Sequence, residues 1–313
     1  MSVVPPSISR LPDRAWGWTA LLVLTASILY WINLRHPAVF PVWAPWDFSW
    51  PIFASVVLAV VWYRRGWMRL SAAQRPRPWR SVSFGIGIAA MYAVSQTHID
   101  FYAQHLFFVH RAQHIILHHL GPLLIALGAA DTTIWAGMPS FLRKELDRAI
   151  VRRLLAVVQN PVIAPILFVG LIYFWLIPAV HFRAMLDARV YAVMNWSMAL
   201  DGLLFWAMIL DPRPKPPARN HFLTRALLLI VIAPPQILLG AILTFSSRDF
   251  FPVYAICGRL LPMSAVEDQH LGGLILWIPG AMMSLPALIA VLAAMRLSDD
   301  RKTITRRSGH DEL

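Results

Sequence analysis

The sequence is short of charge. Only 14% of its 313 residues are Asp, Glu, Lys or Arg, against about 25% in a soluble globular chain. So little charge cannot cover a water-exposed surface, and a soluble enzyme and a disordered chain are both excluded. Cysteine is nearly absent. Cys257 stands alone, which excludes a disulfide framework and any paired-thiolate zinc or redox motif. No connection is long enough for a folded domain outside the apolar segments, and no repeat of fixed period runs along the chain. What the sequence has is apolar surface: 58% hydrophobic residues, with 14 Trp, 16 Phe and 7 Tyr. Aromatics in that supply suit membrane interfaces, and the composition is that of an integral membrane protein.

Long apolar runs of roughly the ~20 residues a bilayer needs divide the chain into eight expected spans. They are Trp16–Asn33, Ser49–Tyr63, Ser81–Gln96, Gln104–Leu127, Pro161–Ile177, Val190–Leu210, Phe222–Phe245 and His270–Met295. The count falls to seven if Ser49–Tyr63 is re-entrant. The fold class expected is therefore an all-α polytopic bundle over residues 16–295, with tails at 1–15 and 296–313. Trp16–Asn33 is too long for a signal-peptide core and lacks a clear cleavage site, so it reads as a retained anchor.

The 28 Lys and Arg explain the net charge of +12. Twenty-two of them fall in the two tails and the alternate connections that contain Arg64–Arg80, Arg143–Arg153 and Arg213–Arg225. The opposite connections hold only Arg35, Arg183, Arg189, Arg248 and Arg259, and Arg111 lies inside a span. By the positive-inside rule both termini are cytoplasmic. The basic balance is thus a topology signal, and nucleic acid is discarded as a partner; the lipid bilayer is one. Within Ser140–Gln159, Leu142, Leu146, Ile150 and Leu154 recur every four residues among basic ones. That pattern fits an amphipathic helix on the cytoplasmic face, tending to anionic lipid, or a cytoplasmic extension of span five.

Ionisable groups inside a membrane are costly and mark function by default. Five of the 11 His lie in span four: His105, His110, His114, His118 and His119. At 100° per residue His110, His114 and His118 fall within about 80° of one another on an ideal helix. His105 and His119 lie on other faces and read as structural or interfacial. Imidazoles on successive turns can share one metal ion, with copper, zinc and haem iron all suited. They can also relay protons or simply bond across helices. His181, after Pro178, and the run Asp268-Gln269-His270-Leu271-Gly272-Gly273 point to the same outer surface. Asp268 alone reads as a helix cap, and its pairing with His270 and the outer part of the stripe raises the metal reading. Gly272 and Gly273 permit close helix approach. Met194, Met198, Met263, Met282 and Met283 are soft donors but equally ordinary apolar filler. Arg111 needs a counter-charge, with Asp100, Asp201 and Asp268 the acids near in depth. Pro122 and Pro234-Pro235 break spans four and seven, freeing carbonyls that must be re-satisfied internally.

At these residues the sequence resembles the caa3-type cytochrome c oxidase assembly factor family. The likeness rests on three runs over about residues 80–295. The first is His110-Arg111-Ala112-Gln113-His114 followed by Gly121-Pro122-Leu123-Leu124 and Leu127-Gly128. The second is His181, then Leu204-Phe205-Trp206 and Asp211-Pro212-Arg213-Pro214. The third and most specific is Asp268 to Gly273, closing in Trp277-Ile278-Pro279-Gly280. Two departures stand out: many relatives carry a His near Asn195, and the His118-His119 pair is richer than usual.

The resemblance implies a non-catalytic factor that matures a haem–copper oxidase in the bacterial cytoplasmic membrane. It implies copper as cargo, a cytochrome c oxidase subunit as client and a periplasmic copper chaperone as a further partner. On that basis His110 and His114 are expected to bind copper, with His181 and His270 as co-ligands. His118, His105 and Asp268 stand behind them. A b-type haem protein or haem-modifying enzyme with bis-His ligation is the alternative, and a proton-coupled transporter a third.

Overall fold

The computed structural model describes the backbone of residues 14–36, 48–216 and 218–310, and side chains except those of 14–20, 22 and 301–310. Most of the expected N-terminal tail lies outside the described residues. Among the described residues every regular element is helical. The first three are α1 (Arg14–Arg35), α2 (Trp50–Arg69) and α3 (Pro78–Gln96). Then come α4 (His98–His105), α5 (Phe107–Ile115), a π-turn (Ile116–Leu120), α6 (Gly121–Leu127) and α7 (Asp131–Gly137). The middle of the chain forms α8 (Ser140–Leu146), α9 (Ala149–Val158), α10 (Ile163–Trp175) and α11 (Pro178–Leu186). The last are α12 (Ala188–Ile209), α13 (Phe222–Phe245), α14 (Val253–Cys257), α15 (Ala265–Met282) and α16 (Ser284–His310).

Three helices are long and apolar enough to cross a membrane: α12, α13 and the run Ala265–Asp300. The number rises to five if each of two bent pairs is one span, Phe107–Leu127 with α7 (78°) and α9 with α10 (69°). Length and composition thus establish a helical membrane protein, while eight spans are not reached by that measure. The first three expected segments are nonetheless helices of 22, 20 and 19 residues. Leu227, Ile230, Val231 and Leu238 of α13 face outward, as in a helix with hydrocarbon on one side and protein on the other.

Span four is not the single straight helix the sequence suggests. Leu106 is extended (φ −135°, ψ 121°), so α4 ends there and carries His105 away from α5. After the nine residues of α5 the helix widens into the π-turn, with the Gly121 amide bonded to the Ile116 carbonyl. Pro122 accounts for the widening, because it lacks an N–H and its ring collides with the carbonyl four residues back. That carbonyl is His118's, and the indole N–H of Trp206 bonds to it at 3.1 Å. Gly202 makes this approach possible: a Cβ there would lie 2.4 Å from the same oxygen.

Ser140–Gln159 likewise forms two helices, α8 and α9, parted at Asp147 and Arg148. Asp competes for its own backbone amides and favours helix ends. Ile150 and Leu154 are exposed on α9, which meets α10 at 69° and does not extend it in a straight line.

The interior has two apolar layers. One gathers Phe168, Phe205, Trp206, Ile209, Leu229 and Ile232. The other gathers Phe107, Ile172, Met194, Met198, Phe251, Tyr254 and Leu276. Each layer encloses histidines.

Candidate functional site

The site is built on the start of α5. Because Leu106 is extended, the amides of Phe107 and Phe108 have no carbonyl of their own helix to bond. Asp268 of α15 supplies both acceptors, at 3.0 and 2.9 Å. It therefore caps a helix 160 residues away in sequence, whereas its own helix is capped by Ser264 and Glu267. The contact is close because Gly272 has no side chain; a Cβ there would fall 2.3 Å from the Phe107 ring. Arg259 lies 3.4 Å from the buried carboxylate.

Locked in this way, α5 presents His110, Arg111, Gln113 and His114 inward, all buried. The Nε2 atoms of His110 and His114 face each other at 2.8 Å. His110 Nδ1 lies 2.6 Å from the Tyr254 hydroxyl, which lies 2.9 Å from His181 Nε2. His181 Nδ1 is 3.1 Å from the Trp175 carbonyl. For neutral rings this fixes every proton in the chain. A carbonyl only accepts, so His181 donates from Nδ1 and accepts at Nε2 from Tyr254. The hydroxyl oxygen then accepts from His110 Nδ1, and His110 Nε2 accepts from His114. His114 is left with a bare Nδ1, which is buried without a partner. Asn195 adjoins it, and Asn195 Oδ1 is also buried without a partner. An apolar cleft of about 230 Å³ between α2, α3 and α12 has Asn195 in its lining.

Two more features surround the network. Tyr191 and Gln113 bond to Asp100 at 2.8 and 2.6 Å, and Gln104 bonds to its other oxygen at 2.9 Å. Arg111 stacks on Phe107 with its guanidinium carbon 5.3 Å from the ring centre. Its Nε and Nη2 are buried without a partner. Of the three acids near it in depth, Asp100 bonds to Gln113, Gln104 and Tyr191, Asp268 to the amides that open α5, and Asp201 to His118.

The π-turn breaks the expected stripe. His118 turns to Asp201 of α12, Nε2 to Oδ2 3.0 Å, and stacks on Phe168 with centroids 4.1 Å apart. His119 turns to Gln236 of α13 at 2.9 Å. His270 bonds to the Ser246 carbonyl at 2.9 Å, and His105 to the Phe101 carbonyl one turn back in α4 at 2.8 Å. Of the residues expected from sequence, His110, His114 and His181 therefore converge, Asp268 braces their helix, and His118, His270 and His105 bond elsewhere. Tyr254, which bridges His110 and His181, carries no signal in the sequence, since it sits in a five-residue helix between α13 and α15. Among the described residues no group of three or more His, Cys, Asp or Glu is arranged to hold a metal ion.

Long apolar helices around a buried histidine–tyrosine network define a polytopic membrane protein with a polar centre inside its bundle. Residues 61–297 match the cytochrome c oxidase caa3 assembly factor family, and the chain belongs to it. Among curated proteins it is 27% identical over 296 residues to the uncharacterized protein Mb0105 of Mycobacterium bovis. It is 28% identical over 294 residues to the uncharacterized protein ML1998 of Mycobacterium leprae. Each alignment covers 88% of this chain and 43% of the relative, so the chain spans under half the length of the curated relatives it matches. No solved structure matches.

Proposed function

We propose that this protein helps assemble a haem–copper cytochrome c oxidase by holding copper as cargo between His110 and His114. The observation that carries the reading is the facing pair of Nε2 atoms at 2.8 Å, on adjacent turns of a braced helix. Imidazole nitrogen is a donor copper takes readily. The unpartnered atoms beside the pair fit the same role. For both Nε2 atoms to offer lone pairs, the proton of His114 must move to Nδ1, where Asn195 stands ready to accept it. Tyr254 and His181 orient the His110 ring from behind, as outer-shell groups do around metal ligands.

The His110 and His181 rings lie with centroids 5.2 Å apart and share one hydroxyl. That contact favours an ion over the plane of a haem. The charge pattern supports eight spans with both termini cytoplasmic and the pair in the outer half of the bacterial cytoplasmic membrane. A periplasmic copper chaperone is then the natural donor and an oxidase subunit the recipient. Replacement of the chromosomal gene by a His110→Ala/His114→Ala version tests the role in cells. Oxidase activity should fall to the level of the deletion strain while the protein stays in the membrane. Full oxidase activity in that strain overturns the proposal.

A further inference from the structure

We propose that the cavity between the start of α3, the turn after α12 and the end of α16 binds one anionic phospholipid. Its phosphate is held by Arg80 and its chains lie along α16. The proposal stands apart from the copper reading and uses none of its residues. Arg80, Arg213 and Ser298, from three stretches that the basic residues assign to the cytoplasmic side, line one cavity of about 970 Å³. Leu127 of α6 and Ala290, Ala294 and Leu297 of α16 form its apolar wall. That volume is at the upper end for ligand pockets, with room for a headgroup and the first part of its chains. The Asp211-Pro212-Arg213-Pro214 run, which the copper reading leaves without a role, lies in the same lining.

The polar wall is tied together from within. Asp211 accepts from Arg213, Nε to Oδ1 and Nη2 to Oδ2, both at 2.8 Å. Arg225, fully buried, donates to the carbonyls of Asp211 and Arg213 and fixes the turn. Asp131 adds a longer contact to Arg213 at 3.8 Å. Arg80 is different. Among the described residues it makes no ion pair, and its Nε is buried without a partner. Gly128 brings the end of α6 against it, since a Cβ there would lie 2.9 Å from the Arg80 carbonyl. Arg80, Arg213 and Arg225 thus set three positive charges against the carboxylates of Asp131 and Asp211, which leaves one for an anion. A guanidinium matches phosphate with its planar fork, and Trp79, 5.3 Å from the Arg80 guanidinium carbon, is the aromatic that a membrane interface favours. Basic pockets between helices on the cytoplasmic side suit anionic headgroups. The apolar wall decides between a lipid and free phosphate. Alanines at 290 and 294 leave the space, and the exposed Ile289 and Leu297 continue it along the helix; an acyl chain covers such a wall and inorganic phosphate does not.

The full-length protein, washed free of lipid in detergent, is titrated with phosphatidylglycerol and with phosphatidylcholine of the same chains. Bound lipid is counted by native mass spectrometry. One phosphatidylglycerol per chain should bind about 10-fold or more tightly than phosphatidylcholine, the worth of one charge-assisted hydrogen bond. Arg80→Gln should remove that preference. Arg77→Gln, the same change of charge at an exposed residue outside the cavity, should leave it intact. Ala293→Trp, at an exposed position of the cavity lining, should weaken phosphatidylglycerol by filling the space of its chains. Equal binding of the two lipids by the wild type overturns the proposal. A preference unchanged in folded Arg80→Gln, or lost in Arg77→Gln, does the same. Displacement of the lipid by millimolar inorganic phosphate gives the site to free phosphate and overturns the lipid. The wild-type comparison needs no variant to fold.

Discussion

The Nε2 atoms of His110 and His114 lie 2.8 Å apart, tip to tip, on successive turns of one helix. The His110 ring is not free to turn away. His110 is held at its other nitrogen by Tyr254, and the Tyr254 hydroxyl is itself held by His181. Tyr254→Phe keeps the aromatic packing and removes only this tether. Copper affinity should fall about 10- to 100-fold, the usual consequence of losing a group behind a metal ligand. A competition titration against a chromogenic copper chelator measures it; an unchanged affinity shows that the tyrosine does not orient the pair.

Asp268 braces the site without reaching the pair. Its two bonds to the amides of Phe107 and Phe108 are charge-assisted and buried, and Asp268→Ala leaves both donors unpaired. The expected cost is about 2–3 kcal/mol, read as a lower midpoint of unfolding in detergent. The folded fraction should retain its copper. Loss of copper at full stability would instead make Asp268 a ligand.

Gly202 allows α12 to touch the π-turn. Its missing Cβ would meet the His118 carbonyl at 2.4 Å, all backbone that cannot yield. Gly202→Val should destabilise the protein by about 1–3 kcal/mol through overpacking. Gly170→Ala is the control, since nothing lies within 4 Å of its added Cβ; it should be neutral or stabilising by up to about 1 kcal/mol. Equal unfolding midpoints for the two variants would remove the close contact from the account.

The orientation can be read with a membrane-impermeant maleimide on intact cells, in a Cys257→Ser background. Cysteines placed at the exposed positions Arg189 and Arg248 should label from outside. Cysteines at Arg77 and Lys144 should label only after lysis. The reverse pattern would invert the topology drawn from the basic residues.

The helical membrane character was legible in composition, because a membrane imposes long apolar runs. The converging trio of His110, His114 and His181 was legible too, as histidines in apolar surroundings. The fate of His118 was not. An ideal helix carries it onto the stripe, and only the π-turn forced by Pro122 swings it to Asp201. Asp268 was readable as a cap, but which helix it caps depends on where α15 packs, and sequence spacing says nothing of that. Tyr254 was hidden because a lone tyrosine in a short connection has no periodicity to betray it.

Copper content tests the central claim most directly. The protein and its His110→Ala/His114→Ala variant are purified without chelator from copper-supplied cells and analysed for metal per chain. One copper per wild-type chain and none in the folded variant is the predicted result. Equal copper in both proteins, or a wild type that takes up none when supplied with reduced copper, would contradict the account.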